Sequence, residues 1–225
     1  MPSAYFPPVE FALAEPNGLL AQGGNLSPEV LLDAYRHGVF PWFNPGEPIL
    51  WWSPEPRMAL FPDEVHVTRS LAKRMRNAGF EVRLDTAFAE VLRGCAEPRP
   101  DALGTWITPA MVAAYTRLFD LGYAHSVETW RAGELVGGLY GVAIGRMFYG
   151  ESMFSHVPDA SKTALVTLAR QLARWRFGMI DCQMETAHLA RMGARPLPRA
   201  EFCERLAALV NLPHRPGPWS FDASD

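Results

Sequence analysis

Hydrophobic and polar positions along the chain change character near residue 56. Before it, short apolar clusters are interrupted by a Pro-Asn-Gly turn at 16–18 and a Gly-Gly turn at 23–24. One helix is clearly signalled there. Ser27 is placed to cap it, Pro28 fits the first helical position, Glu29 falls in the first turn, and Gly38 stops it. An irregular aromatic segment, "FPWFNPGEPILWWSPEPR", follows. Residues 1–55 are therefore expected to form a small N-terminal domain whose aromatics pack on something larger.

From residue 56 the pattern becomes mixed. "MALFP" reads as a short strand, and Thr68 can cap a helix "RSLAKRMRNAG" that Gly79 ends. "FEVRLD" alternates as a strand should, and "AFAEVLRGCA" is helical. "TPAMVAAYTRLFDLG" is an amphipathic helix with Thr108 as cap, Pro109 in the first turn and Gly122 as stop. "AHSVETWR", "ELVGGLYGVAIG" and "RMFYGESMF" are strands joined by short glycine-containing links, which predicts an antiparallel meander. A helix "DASKTALVTLARQLARWR", a strand "GMIDCQM" and a helix "TAHLARMG" come next. The expected fold is α+β, with residues 56–225 forming a mixed, mostly antiparallel sheet flanked by helices.

Some polar positions interrupt these patterns. In "RMFYGESMF", strict alternation puts Met147, Tyr149, Glu151 and Met153 on one face and Phe148, Gly150, Ser152 and Phe154 on the other. Twist or a bulge at Gly150 would blur that split. Pattern alone leaves Glu151 either on a wet strand face or in a pocket. Asp181 and Gln183 stand two apart in a strand, so they are expected to share a face, with Ile180 and Cys182 on the other. They are well placed for a site, but from pattern alone a strand end turning to solvent is the reading preferred. Glu185 and His188 have helical spacing for a metal, but no second such pair accompanies them, and no metal site is expected. Arg69, Lys73 and Arg76 form one stripe on their helix, either a solvated face or a phosphate-tracking one. Trp42, Trp51, Trp52 and Trp106 each need a partner for the indole N–H if buried, or can stack on a nucleobase.

Composition narrows the class. The 225 residues are 48% hydrophobic and 20% charged, as in ordinary globular protein, and the net charge of −3 means any nucleic acid must be met by a local patch. No apolar run approaches the roughly 20 residues that span a bilayer, and the start of the chain lacks the features of a secretory signal. Cys95, Cys182 and Cys203 are far apart, which argues against a disulfide framework and for a reducing compartment. A cytoplasmic protein is expected. The link "SHVPDASK" between a meander strand and the next helix has no glycine, so a backbone grip on a CoA pyrophosphate is not expected.

Several segments together resemble the bacterial leucyl/phenylalanyl-tRNA–protein transferase family. These are "EPNGLLAQGGNLSPEVLLDAYRHGVFPWF", "PILWWSPEPR", "GTWIT", "LVGGLYGV", "GESMFS", "ASKTAL" and "IDCQ", in order from about residue 15 to 200. The resemblance implies a small N-terminal domain, an acetyltransferase-like (GNAT-like) domain and no cofactor. It implies transfer of Leu or Phe from tRNA to proteins beginning with Arg or Lys, which directs them to degradation. On this resemblance Trp42 and Trp106 hold the 3′-terminal adenosine, and Tyr115 and Glu151 lie near the aminoacyl ester. Leu139, Phe148, Met153, Leu165, Leu168 and Ile180 form the side-chain pocket. Asp181 and Gln183 are assigned to catalysis, and Arg69, Lys73 and Arg76 to the tRNA acceptor stem. Leu139 stands where the family has Met, Leu168 where it has Phe, and Lys73 where it has Arg. For Phe148 and Met153 to share a pocket, the strand needs the bulge at Gly150.

The implied chemistry is self-consistent. An aminoacyl ester is already activated, so neither ATP nor a covalent enzyme intermediate is needed, and the chain shows no convincing Ser–His–Asp or Cys–His arrangement. Gln183 is a hydrogen-bond acceptor rather than a base, and is expected to orient the attacking amine, with Asp181 orienting or polarising it. A graded preference is expected, with Met as a weaker substrate. The competing readings are a CoA-dependent N-acetyltransferase and a non-catalytic adaptor for aminoacyl-tRNA or protein N-termini. A monomer is expected.

Overall fold

A computed structural model describes residues 2–97 and 105–222. The N-terminal segment contains β1 (Leu19–Gln22), α1 (Pro28–Arg36), β2 (Phe40–Pro41) and β3 (Leu50–Trp52). The three strands form a small antiparallel sheet in the order β1–β3–β2. Its strands are two to four residues long and one contains a proline, so the aromatic segment showed no strand periodicity. Ser27 caps α1 by accepting from the Val30 amide, as its position predicts.

The rest of the chain builds the larger sheet and its helices. In order these are β4 (Arg57–Leu60), α2 (Arg69–Asn77), β5 (Glu81–Leu84), α3 (Phe88–Ala96), α4 (Pro109–Asp120), β6 (Ala124–Arg131), β7 (Glu134–Ile144) and β8 (Met147–Ser155). They continue with α5 (Ala160–Arg174), β9 (Met179–Gln183), α6 (Ala187–Arg191), β10 (Arg195–Leu197) and α7 (Arg199–Val210). Thr68 and Thr108 cap α2 and α4, accepting from the amides of Leu71 and Met111. The strand order is β10–β4–β9–β8–β7–β6–β5. All neighbours are antiparallel except β8 and β9, giving the expected α+β class with a mixed sheet. The edge strand β10 and helix α7 lie beyond the elements read from the pattern.

Both faces of the sheet are covered. Residues of α1, α3, α4 and α7 pack on one face, in a buried cluster that also takes Phe40, Phe43 and Trp51 of the N-terminal segment. The other face carries α5, Leu71 of α2 and Trp219 near the C-terminus. The small sheet thus shares a core with the large one. Among the described residues no helix is long and apolar enough to cross a membrane.

The meander contains the expected irregularity. Tyr140 of β7 pairs with Ser152, but its neighbour Gly141 pairs with Gly150, so Glu151 has no residue opposite it. The extra residue reverses the alternation beyond it. Phe148 and Met153, which strict alternation separates, both join the α5-side cluster. Gly141 is required where the bulge crowds the strand. A Cβ there would lie 2.5 Å from the Phe148 ring and closer still to the Tyr149 carbonyl. Gly141→Ala is expected to destabilise the fold by ~1–3 kcal/mol through overpacking. Urea unfolding measures this, and a variant as stable as the parent would contradict the crowding argument.

Candidate active site

The parallel strands β8 and β9 pair only as far as Tyr149 and Asp181. Beyond that point a cavity of about 330 Å³ is lined from both strands, by Gly150 to Met153 on one side and by Ile180, Cys182 and Gln183 on the other. Leu139, which faces Met153 across the β7–β8 ladder, adds to the wall with Phe148 and Leu165 of α5. Trp106 lies at the same cavity, with Thr186, His188 and Leu189 from the α6 end. The lining is largely apolar, with polar groups at Tyr140, Ser152, the wall formed by Glu151 and Gln183, and the residues near α6.

The bulge places the Glu151 carboxylate among partners from three other elements. Tyr35 of α1 donates to its Oε1 at 2.7 Å, and Tyr115 of α4 donates to its Oε2 at 2.8 Å. The two phenol oxygens are themselves 2.5 Å apart. Gln183 Nε2 donates to Oε1 at 3.0 Å. Three short contacts join three hydroxyl or carboxyl groups, and the two tyrosines supply two protons. A proton on Glu151 completes the ring, with the two phenols then donating one to the other and one to the carboxyl, and the carboxyl donating to the remaining phenol. Burial points the same way: it pushes the Glu151 carboxyl up to about 7, outweighing the tyrosine hydrogen bonds that favour the charge. Burial first, then the neighbouring carboxylate, raises the Tyr35 and Tyr115 phenols well above their usual range.

Behind this wall lies a buried ion pair. Arg57 grips Asp181 through two bonds, Nε to Oδ1 at 2.8 Å and Nη2 to Oδ2 at 2.6 Å. Its Nη1 donates to the Gly38 carbonyl at 3.0 Å, and its guanidinium lies over the rings of Phe40 and Phe202 at 4.7 and 4.8 Å. Asp181 Oδ1 also accepts the backbone N–H of Gln183 at 2.8 Å. Gln183 has φ 61°, in the left-handed region.

One feature here differs from strand periodicity. Asp181 and Gln183 do not share a face at the cavity. Asp181 is 0% exposed and turned toward Arg57, whereas Gln183 lines the cavity with Ile180 and Cys182. The left-handed turn at Gln183 and a register shift against β4 break the alternation there. Leu168 lies in the buried layer of α5 and does not line the cavity. Tyr115 reaches the site only through its bond to Glu151. Trp42 is 41% exposed and edge-on to Trp52, outside the cavity lining. Arg69, Lys73 and Arg76 are exposed along α2, and their neighbour Arg74 approaches Asp159 of the "SHVPD" link at 3.7 Å.

Sequence reasoning gave no role to Tyr35, Arg57, Cys182 or His188. The signal for Arg57 was a lone cation at the head of an apolar strand, which burial obliges to find a carboxylate. Burial and then the Asp181 charge raise the Cys182 thiol, so it presents no thiolate nucleophile. Burial and the cations Lys162 and Arg191 lower His188. Among the described residues no three His, Cys, Asp or Glu side chains gather as a metal site.

Comparison with known proteins adds to this geometry. The chain matches the family model described as leucyl/phenylalanyl-tRNA protein transferase over residues 59–207, and that of its N-terminal domain over 24–55. It is 75% identical over 221 residues to the leucyl/phenylalanyl-tRNA–protein transferase of Thiobacillus denitrificans, covering 98% of this chain and 97% of the relative. For that of Nitrosomonas europaea the identity is 63% over 217 residues, covering 96% and 92%. A solved GCN5-related N-acetyltransferase from Kribbella flavida is similar with a TM-score of 0.36 and 13% identity, over 75% of this chain and 60% of that one.

The Glu151 shift has a stability consequence. Between the usual carboxyl value of 4.5 and about 7, the folded protein keeps a proton that the unfolded chain releases. The resulting stabilisation is complete below the lower value and is lost as pH rises through the upper one, on the order of 3 kcal/mol in all. Urea unfolding at about pH 5 and about pH 7.5 should show this fall in the wild type and lose it in Glu151→Gln. An unchanged pH dependence in the variant would contradict the raised carboxyl.

Proposed function

The chain belongs to the leucyl/phenylalanyl-tRNA–protein transferase family, and is an aminoacyltransferase. From that premise we propose that it moves Leu or Phe, and Met less well, from aminoacyl-tRNA to the α-amino group of proteins beginning with Arg or Lys, marking them for degradation. The observation that carries the site assignment is an apolar cavity of about 330 Å³ with the Glu151–Gln183 pair as a polar wall. A cavity of this size suits one apolar side chain, and the polar wall suits the reacting groups beside it.

In this reading the Leu or Phe side chain enters between Leu139, Phe148, Met153, Leu165 and Ile180. Trp106 at the cavity and exposed Trp42 hold the terminal adenosine, where stacking contributes ~1–3 kcal/mol per base. The α2 stripe of Arg69, Lys73 and Arg76 follows the acceptor-stem phosphates. Gln183 gives its amide N–H to Glu151, and among the described residues no group donates to its carbonyl oxygen. That oxygen accepts a hydrogen bond from the incoming α-amine and turns its lone pair toward the ester carbon. The amine has an ordinary pKa of ~7.7–8.0, so a useful fraction is neutral near pH 7. Holding it beside the ester supplies ~7–11 kcal/mol of the barrier. The C–N bond forms as the C–O bond to the ribose breaks, and the amine proton leaves with the departing ribose oxygen or through water. The protein acts as a monomer in the cytoplasm.

The deciding experiment incubates the protein with labelled leucyl-tRNA and a peptide beginning with Arg, without CoA or ATP. Label should appear on the peptide; binding without transfer would overturn the reading. Met153→Phe narrows the cavity and should lower Phe transfer about tenfold more than Leu transfer. Equal losses for both would remove Met153 from the pocket. Exchanging Arg69, Lys73 and Arg76 together for Gln should raise KM for aminoacyl-tRNA. It should also flatten the salt dependence by ~0.7–0.9 in log–log slope for each phosphate no longer neutralised. An unaltered slope would place the acceptor stem elsewhere.

A further inference from the structure

We propose that Arg57 is a positioning residue for transfer: through Asp181 it holds Gln183 in the backbone conformation that presents its side chain to the cavity. Neither Arg57, 1% exposed, nor Asp181 lines the cavity, so neither meets the substrates directly. The influence of the pair passes through the chain. Arg57 fixes both carboxylate oxygens of Asp181, and the Oδ1 it fixes also accepts the Gln183 backbone N–H at 2.8 Å.

That bond closes a turn of the kind aspartates form with the amide two residues on. It accompanies a φ of 61° at Gln183, a region that side-chain-bearing residues rarely adopt. The strand pairing records the same break. Ala59 of β4 pairs with Asp181 and Met58 with Gln183, leaving Cys182 extra on β9. If β9 ran on in regular geometry, Gln183 would point to the same side as Asp181, toward the ion pair. Instead it turns into the cavity, and its Nε2 reaches Glu151 at 3.0 Å.

Arginine suits this role better than lysine. Its planar fork fixes the rotation of the carboxylate as well as neutralising it, whereas an ammonium offers a point charge. Arg57 is itself fixed, by the Gly38 carbonyl and by the Phe40 and Phe202 rings. Asp181 then orients Gln183 through the main chain.

The inference rests on the role given to Gln183 above, and a cycle of variants separates the two. Single-turnover transfer from leucyl-tRNA to an Arg-initiated peptide is measured for wild type, Arg57→Lys, Gln183→Ala and the double variant. Circular dichroism confirms that each is folded at the assay temperature. Arg57→Lys should slow transfer about tenfold or more, as small misplacements at a reacting centre do, with KM for leucyl-tRNA within about twofold of wild type. In the Gln183→Ala background the same change should cost less than about twofold, because there is no side chain left to position. An equal cost in both backgrounds, or a wild-type rate for Arg57→Lys, would overturn the inference while leaving the proposed function standing. A Gln183→Ala protein as fast as wild type would overturn the role of Gln183 and this inference with it. If Arg57→Lys does not fold, Asp181→Asn takes its place under the same criteria. Failure of both to fold would assign the pair a purely structural role and overturn the inference.

Discussion

The ion pair between Arg57 and Asp181 is the constraint on which the site depends. Removing a guanidinium and a carboxylate from water costs several kcal/mol per ion, and only excellent geometry offsets it. Here the offset is a two-point grip, a backbone carbonyl for the remaining fork, and two aromatic faces. The groups come from four parts of the chain: residues 38–40, β4, β9 and α7. Satisfying one buried charge therefore ties the N-terminal segment, two central strands and the C-terminal helix together just behind the cavity. It also explains why the small N-terminal sheet shares a core with the large one.

A second buried group, Glu151, shapes the front of the site. The bulge that leaves it unpaired in the ladder delivers it to Tyr35, Tyr115 and Gln183, from α1, α4 and β9. The same bulge carries Phe148 and Met153 to one side, so one irregularity sets both the polar wall and the apolar pocket. Burial holds this carboxyl up at about 7, among three hydrogen-bonding partners that fix its place at the front of the cavity.

Much of the framework was legible because it rests on local rules. Ser27, Thr68 and Thr108 cap helices where their positions predict, since capping involves only the following turn. The β6–β7–β8 meander follows from alternation and glycine links, and Gly150 signalled the bulge. The short strands of the N-terminal sheet and β10 carried too few residues to show a period. Alternation puts Asp181 and Gln183 on one face because it assumes regular backbone, and nothing in "IDCQ" announces a left-handed turn at a glutamine.

By itself the sequence determined the α+β class, the capped starts of α1, α2 and α4, the basic stripe on α2 and the family to which its motifs belong. Each of these depends on neighbours along the chain or on composition. Tertiary structure alone decided that Arg57 meets Asp181 across 124 positions, that Tyr35 and Tyr115 converge on Glu151, and that Leu168 stands behind the cavity rather than in it. The physical reason is that buried charges and hydroxyls must be satisfied, but the partners that satisfy them are chosen by how distant elements pack, which leaves no period in the sequence.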